Sequence, residues 1–148
     1  MTIDRVHTVI DFFDRPRSGL ADFEGAPHVY DCIFDEACDE YSDRYLLIPT
    51  DPELARLMKE SWKIWLRWSK AHRQGRTPLE THPTLPRDRA RHDAIAKRMA
   101  ACPQPDMTRS IVKQAAFLPR KTLWFARTDG LGDFDVRWSE PSDADGWP

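Results

Sequence analysis

Leu20-Ala21-Asp22-Phe23-Glu24-Gly25-Ala26-Pro27-His28-Val29-Tyr30-Asp31-Cys32-Ile33-Phe34-Asp35 is the stretch whose reading decides the fold. Two runs of strand-forming residues flank Glu24-Gly25. That pair signals a tight turn, because glycine takes a positive φ at no steric cost. In the second run Tyr30, Cys32 and Phe34 share one face, and Val29 and Ile33 the other. A connection this short permits only antiparallel pairing, since parallel strands need a crossover of about a dozen residues.

The same period of two extends towards the N-terminus. Val6, Thr8, Ile10 and Phe12 alternate with His7, Val9, Asp11 and Phe13, which predicts a first strand. Pro16-Arg17-Ser18-Gly19 is expected to be the turn leading out of it, with the second strand confined to Leu20–Glu24. On the other side, Asp35 to Asp43 reads as an acidic loop and Arg44 to Ile48 as a fourth strand. Apolar residues on both faces of the first and third strands imply that both faces are at least partly covered.

Beyond Ile48 the period changes. Thr50 and Glu53 have capping-box spacing, and Pro52 falls in the first turn, where its missing N–H does no harm. The helix so begun is expected to run to about His72–Arg73 and to stop at Gly75 and Pro78. At about 100° per residue, Leu54, Met58, Trp65, Trp68 and His72 fall on one line, flanked by Leu57, Ile64 and Ala71 on one side and Trp62 on the other. Arg56, Lys59, Glu60, Lys63, Arg67 and Lys70 occupy the opposite face. An apolar arc this wide needs more than one neighbour. Trp62 and Leu66 would be exposed, and open to a partner, unless a second layer covers them.

Residues 74–86 form a polar loop. A second helix over Pro86–Ala101 places Asp88, His92, Ile95 and Met99 along one side, and Pro103 ends it. Residues 108–118 fit a strand or a helix. Thr122–Thr128 and Asp133–Ser139 read as a hairpin around Asp129-Gly130-Leu131-Gly132, and residues 140–148 as a polar tail. The order strands, helix pair, strands predicts a single α+β domain over residues 1–148. Its core is an antiparallel sheet or small open barrel of about six strands, with the inserted helix pair packed on one face.

Composition sets the outer limits. With 148 residues, 31% charged and 41% hydrophobic, the chain suits one globular domain with one core. A net charge of −2 argues against a uniformly basic nucleic-acid binder. The sum conceals a segregation, since residues 1–53 carry −9, residues 54–127 carry +12 and residues 128–148 carry −5. Such polarity marks a partner surface or an internal match, and a basic helical layer covering an acidic sheet layer is the preferred reading. No apolar stretch is long enough to span a membrane. Charges at Asp4, Arg5 and Asp11 leave no signal-peptide core. Three cysteines, an odd number, do not suit a disulfide scaffold, so a reduced cytoplasmic protein is expected, with Cys32 a small buried hydrophobe.

Candidate chemistry gathers in two places. His72, His82 and His92 recur every ten residues with Glu80 between the first two, and a helical hairpin could converge them on a metal ion. Their spacing lacks the helical H-x-x-x-H geometry, so no metal or other cofactor is predicted; the competing role is a core-edge histidine bonded to a loop carbonyl or to Asp88. On the third strand His28 and Tyr30 face away from Asp31, and an acid–base partner for His28 would have to come across the sheet, from Asp11 or Asp22. No nucleophile elbow, phosphate loop or dinucleotide fingerprint occurs, which weighs against catalysis. The candidate ligand-binding residues are His28, Tyr30, His72, Glu80, His82 and His92. The expected pocket lies between the sheet and the loop Gly75–Pro86, lined by His28, Glu80, His82 and His92. Arg67, Lys70, Arg73, Arg76, Arg87, Arg89 and Arg91 cluster at the helix junction as a phosphate-attracting patch, but no nucleic-acid reader motif accompanies them.

Taken together, Asp11-Phe12-Phe13-Asp14, the stretch Gly19–His28, Glu80-Thr81-His82-Pro83 and Arg89-Ala90-Arg91-His92 give a pattern that resembles small bacterial proteins of unknown function. The resemblance covers about the first two-thirds of the chain and implies no activity. The leading expectation is a small cytoplasmic binding or interaction protein, with a protein partner or a weak homodimer. A small enzyme using the His/Glu loop, such as a hydrolase or a metal-dependent enzyme, is the second reading. Nucleic-acid binding through the basic helix pair is the third.

Overall fold

The computed structural model describes residues 2–119 and 133–142. Its strands are β1 (Asp4–Phe13), β2 (Arg15–Phe23), β3 (Ala26–Asp35), β4 (Glu40–Pro49), β5 (Ile111–Pro119) and β6 (Phe134–Ser139). Helices α1 (Pro52–Arg73) and α2 (Arg89–Ala101) lie between β4 and β5 in the chain. Each strand pairs antiparallel with the next, and β6 returns to β1. The antiparallel six-strand sheet with its inserted helices is as the sequence indicates, but the barrel is closed, not open. Asp4 pairs with Val136 and Arg5 with Asp135. Arg5 secures this junction, donating to the Phe134 carbonyl at 2.8 Å and pairing with Asp133 and Asp135.

Aromatic rings fill the barrel. Tyr30, Tyr45, Phe117 and Trp138 pack with centroids 5.4–6.4 Å apart. Buried polar atoms on such rings need partners. The Tyr30 hydroxyl donates to Thr8 O at 2.9 Å, Tyr45 to Pro16 O at 2.5 Å, and Trp138 Nε1 to Asp22 O at 2.9 Å. Burial pushes both phenols above their ordinary range, Tyr45 reinforcing the effect at Tyr30 and Cys32 at Tyr45. Cys32 is buried beside them, as its strand position indicates. Tyr30, a candidate for ligand binding, is instead a fully buried core residue.

Three turns differ in how well the sequence marks them. Glu24 and Gly25, at φ 52° and 79°, form the expected tight turn between β2 and β3. The nearly buried Asp4 carboxylate caps it, accepting from the backbone N–H of Glu24 (3.2 Å) and of Gly25 (3.1 Å). Between β1 and β2 the chain reverses at Asp14 (φ 60°), so Pro16–Gly19 is strand and not turn. Gly19 is required there for another reason: a Cβ would stand 2.2 Å from Thr8 O and 2.9 Å from the Tyr30 hydroxyl oxygen. Between β3 and β4 the strands extend further than their composition suggests, because Phe34 pairs with Tyr41 and their rings meet edge to face at 5.0 Å. The acidic loop shrinks to Glu36–Asp39.

The ambiguous segment after α2 is strand β5, and it supplies the hairpin partner of β6 assigned by sequence to Thr122–Thr128. Alternation explains the choice, since Ala115 and Phe117 point into the barrel core. Thr122–Thr128, the Asp129–Gly132 turn and residues 143–148 of the polar tail lie outside the described residues.

Helix α1 is capped by Asp51, not Thr50. The Asp51 carboxylate accepts from the N–H of Glu53 and of Leu54, both at 3.1 Å, while the Thr50 hydroxyl donates to Ile48 O. Leu57 and Ile64 of α1 meet Ile95 of α2 in a second small core, joined by Met99 and Cys102. Trp62 packs on the barrel core, so a second layer does cover much of it. The helix pair turns its apolar arc to the barrel and its charges outward. Its ion pairs are Glu53 with Arg56 and Arg98, Glu60 with Arg91, and Asp88 with Arg67. Among the described residues, no ion pair joins a helix to a barrel strand. The expected match of a basic helical layer to an acidic sheet is therefore not made through direct ion pairs among the described residues.

Candidate functional site

A cleft of about 590 Å³ lies where the helix pair meets β1. Its walls are Val9 and Ile10 from β1, Met58, Ser61, Trp62 and Trp65 from α1, His82 and Pro83 from the interhelical loop, and His92 and Met99 from α2. Each element contributes for a local reason. The pairing of β1 with β2 shifts register between Val9 and Asp11, which buries Val9 and leaves Ile10 65% exposed at the cleft edge. The wide arc of α1 leaves Met58 and Trp65 half-buried beyond what the second core can cover. The Trp62 and Trp65 rings stack at 5.2 Å and 12°, making a flat apolar wall.

Trp68 fixes the loop that carries His82. Its indole N–H donates to Thr81 Oγ1 at 2.8 Å, and that hydroxyl bonds in turn to Thr77 Oγ1 and Pro78 O. His72 stacks flat on Trp68 at 4.9 Å and bonds through Nδ1 to Thr77 O, while His82 meets the same indole edge to face at 4.7 Å. The two rings flanking one indole hold His82 at the cleft without aiming His72 into it.

Of the residues expected in a shared pocket, His82 and His92 do line one, between the sheet and the loop. His28 does not. It is buried on β3, with Nδ1 bonded to Ala26 O at 2.8 Å and its ring edge-on to Phe23. Glu80 is exposed in the short 3-10 turn Leu79–Thr81 and does not line the cleft. Among the described residues no group of three or more His, Cys, Asp or Glu side chains could hold a metal ion, so His72, Glu80, His82 and His92 are not gathered as one ligand set. The carboxylate proposed as a cross-strand partner, Asp22, serves a different histidine: His7 Nε2 lies 2.9 Å from its Oδ1. No described hydroxyl or thiol hydrogen-bonds to His7.

The basic cluster is partly spent on internal contacts. Arg67 forks onto Asp88, Arg91 onto Glu60, and Arg76 donates to Gln74. Among the described residues no helix is long and apolar enough to cross a membrane.

No family model, curated protein or solved structure matches this chain. What the cleft can do therefore rests on its own walls. They offer flat apolar area, two methionines that adapt to shape, one hydroxyl and two imidazoles, with no carboxylate among them. Such a lining can hold a planar ring and exchange one or two hydrogen bonds with it. Sequence reasoning placed Met58 and Trp65 on one apolar line, in an arc that needs more than one neighbour. Their half-exposure follows from an arc wider than the second core can cover.

Proposed function

We propose that the protein is a binding protein whose cleft takes a small ligand built on a planar, largely apolar ring with a polar edge. The stacked pair Trp62–Trp65 facing His82 and His92 carries this reading. The volume, about 590 Å³, falls within the range of roughly 300–1,000 Å³ typical of small-molecule sites, and an apolar lining with a few polar groups is their usual composition. The indole faces supply contact area, and the imidazoles, able to donate or accept according to tautomer, read the polar edge.

The test is a titration with naphthalene, indole and benzimidazole, followed by the tryptophan Nε1–H resonances and by the thermal midpoint. Benzimidazole is expected to bind best, and its advantage over naphthalene to vanish in His92→Ala. Ile10→Ser, on the exposed edge of the cleft, is expected to weaken all three while leaving the fold intact. Unmoved resonances and midpoints with all three probes end this reading.

A further inference from the structure

We propose that the barrel end made by the β1–β2 turn and the β3–β4 hairpin docks an arginine-bearing basic segment of a partner protein. This end lies on other elements than the helix-facing cleft, and the inference does not depend on the cleft having a ligand.

The end is rimmed by rings that the fold leaves open: Phe13 is 73% exposed, Tyr41 46% and Phe34 41%. Apolar side chains of this size, grouped and rimmed by charge, mark interaction surfaces more often than scattered ones do. The charge around them is acidic. Asp11, Asp31, Glu36 and Asp39 are exposed, and none has a cationic partner among the described residues. Asp11 and Asp31 flank Ser18 in one row across three strands, side by side on the outer face. The Asp31 carboxyl is pushed up by partial burial and by repulsion from Asp11, so the row carries a strain that an incoming cation would relieve.

The fold had its own means of neutralising these acids and does not use them. Residues 54–127 carry +12, yet their described ion pairs stay within the helix pair and its loop or, for Lys113, go to Glu140, and none reaches Asp11, Asp31, Glu36 or Asp39. The acidic charge at the barrel end is presented outward, which commits the occupant to a positive one.

Arginine is favoured over lysine by a pattern already present inside the rim. The Arg17 guanidinium lies 4.1 Å from the Tyr41 ring centroid and 5.7 Å from that of Phe13, and it bonds to Asp14 Oδ1 at 3.1 Å. Beside it Arg15 donates to Ser42 O at 2.5 Å. Neither of these two cations pairs with Asp11, Asp31, Glu36 or Asp39. Ring face and carboxylate together already hold one guanidinium there, and exposed rings and unpaired carboxylates both occur on the outside of the same barrel end. A planar guanidinium stacks on rings and forks onto carboxylates, whereas a lysine ammonium does neither as well.

The experiment measures fluorescence anisotropy of a labelled Arg-Gly repeat peptide and a Lys-Gly repeat of equal length, at low and at physiological salt. The Arg peptide is expected to bind more tightly, and both to weaken with salt. Phe13→Ala is expected to cost the Arg peptide about tenfold and the Lys peptide less. The double variant Glu36→Gln/Asp39→Asn is expected to weaken both; asparagine tolerates the positive φ of 52° at position 39. Both variants are at exposed positions, and an unchanged thermal midpoint confirms that they fold. No binding at low salt overturns the proposal, as does equal binding of the two peptides that ignores Phe13→Ala. Sedimentation showing that the chain self-associates through this end, with the same variants dissociating it, would assign the face to a second copy and also overturn it.

Discussion

Replacing Gly19 with alanine tests how tightly the barrel is drawn together. The added Cβ would lie 2.2 Å from Thr8 O and 2.9 Å from the Tyr30 hydroxyl oxygen. Ordinary contacts of this kind are about 3.4 Å or longer, so β1 and β2 must separate locally by about 1 Å. That movement breaks the 2.9 Å bond from Tyr30 to Thr8 O inside the barrel. Leaving those groups unpaired costs about 1–3 kcal/mol, and the overpacking itself about 1–3 kcal/mol. Gly19→Ala is therefore expected to lose about 4 kcal/mol, a large part of the roughly 5–15 kcal/mol available to a typical domain. Urea unfolding followed by tryptophan fluorescence measures it. Gly25→Ala is the control: no atom lies within 4 Å of its added Cβ, and only the positive φ of 79° is strained, for about 1–2 kcal/mol. In a Tyr30→Phe background the hydrogen bond is already gone, so Gly19→Ala should cost about 1 kcal/mol less than in the wild type. If Gly19→Ala is no worse than Gly25→Ala, the close approach described here is wrong.

Two further outcomes follow from charge. Because the folded barrel raises the Tyr30 and Tyr45 phenols, its stability is fully present below the ordinary phenol range, about pH 10, and declines as pH rises towards the folded values. Their ultraviolet phenolate signal should appear only together with loss of the circular dichroism of the fold; ionisation of all the tyrosines in an intact barrel would contradict this. The hydrogen bonds from Arg67 hold the Asp88 carboxyl below its usual range, so the pair stabilises above that range and ceases to as pH falls through the folded value. With the Arg67 side chain 44% exposed, Arg67→Gln should cost less than about 1 kcal/mol at neutral pH and nothing in acid, read from urea midpoints at the two conditions.

The turn of the hairpin β2–β3 and the strand β3 were legible, because Glu24-Gly25 announces the turn and the alternation after it marks Tyr30 and Cys32 as buried, but the first half of β2 was not. Helix α1 was legible for the same kind of reason, although the cap fell to Asp51 and not to its neighbour. What escaped reading was set by tertiary contact. Gly19 resembles a turn residue until Tyr30 is seen to pass over it. The Asp35–Asp43 stretch reads as loop because its strand character comes from Phe34 meeting Tyr41 across the hairpin. Closure could not be read, since it depends on Asp4 and Arg5 finding residues about 130 positions away. In the cleft, the sequence placed His82 on the loop between the helices and His92 on α2, and both line it. Glu80 and His28 were misassigned because their one-dimensional proximity says nothing about which way a 3-10 turn or a strand aims a side chain.

The meeting of β1 with β6 has a consequence of its own. A closed ring of strands offers no free edge to other chains, and protection from edge-to-edge association comes only with closure. Here closure rests on two described register pairs and the Arg5 cluster with Asp133 and Asp135. Parting that seam would free two strand edges at once, one on each side of the gap. Arg5 is thus a latch on solubility as much as a structural contact: loosening it would show first as concentration-dependent association, before any loss of the aromatic core.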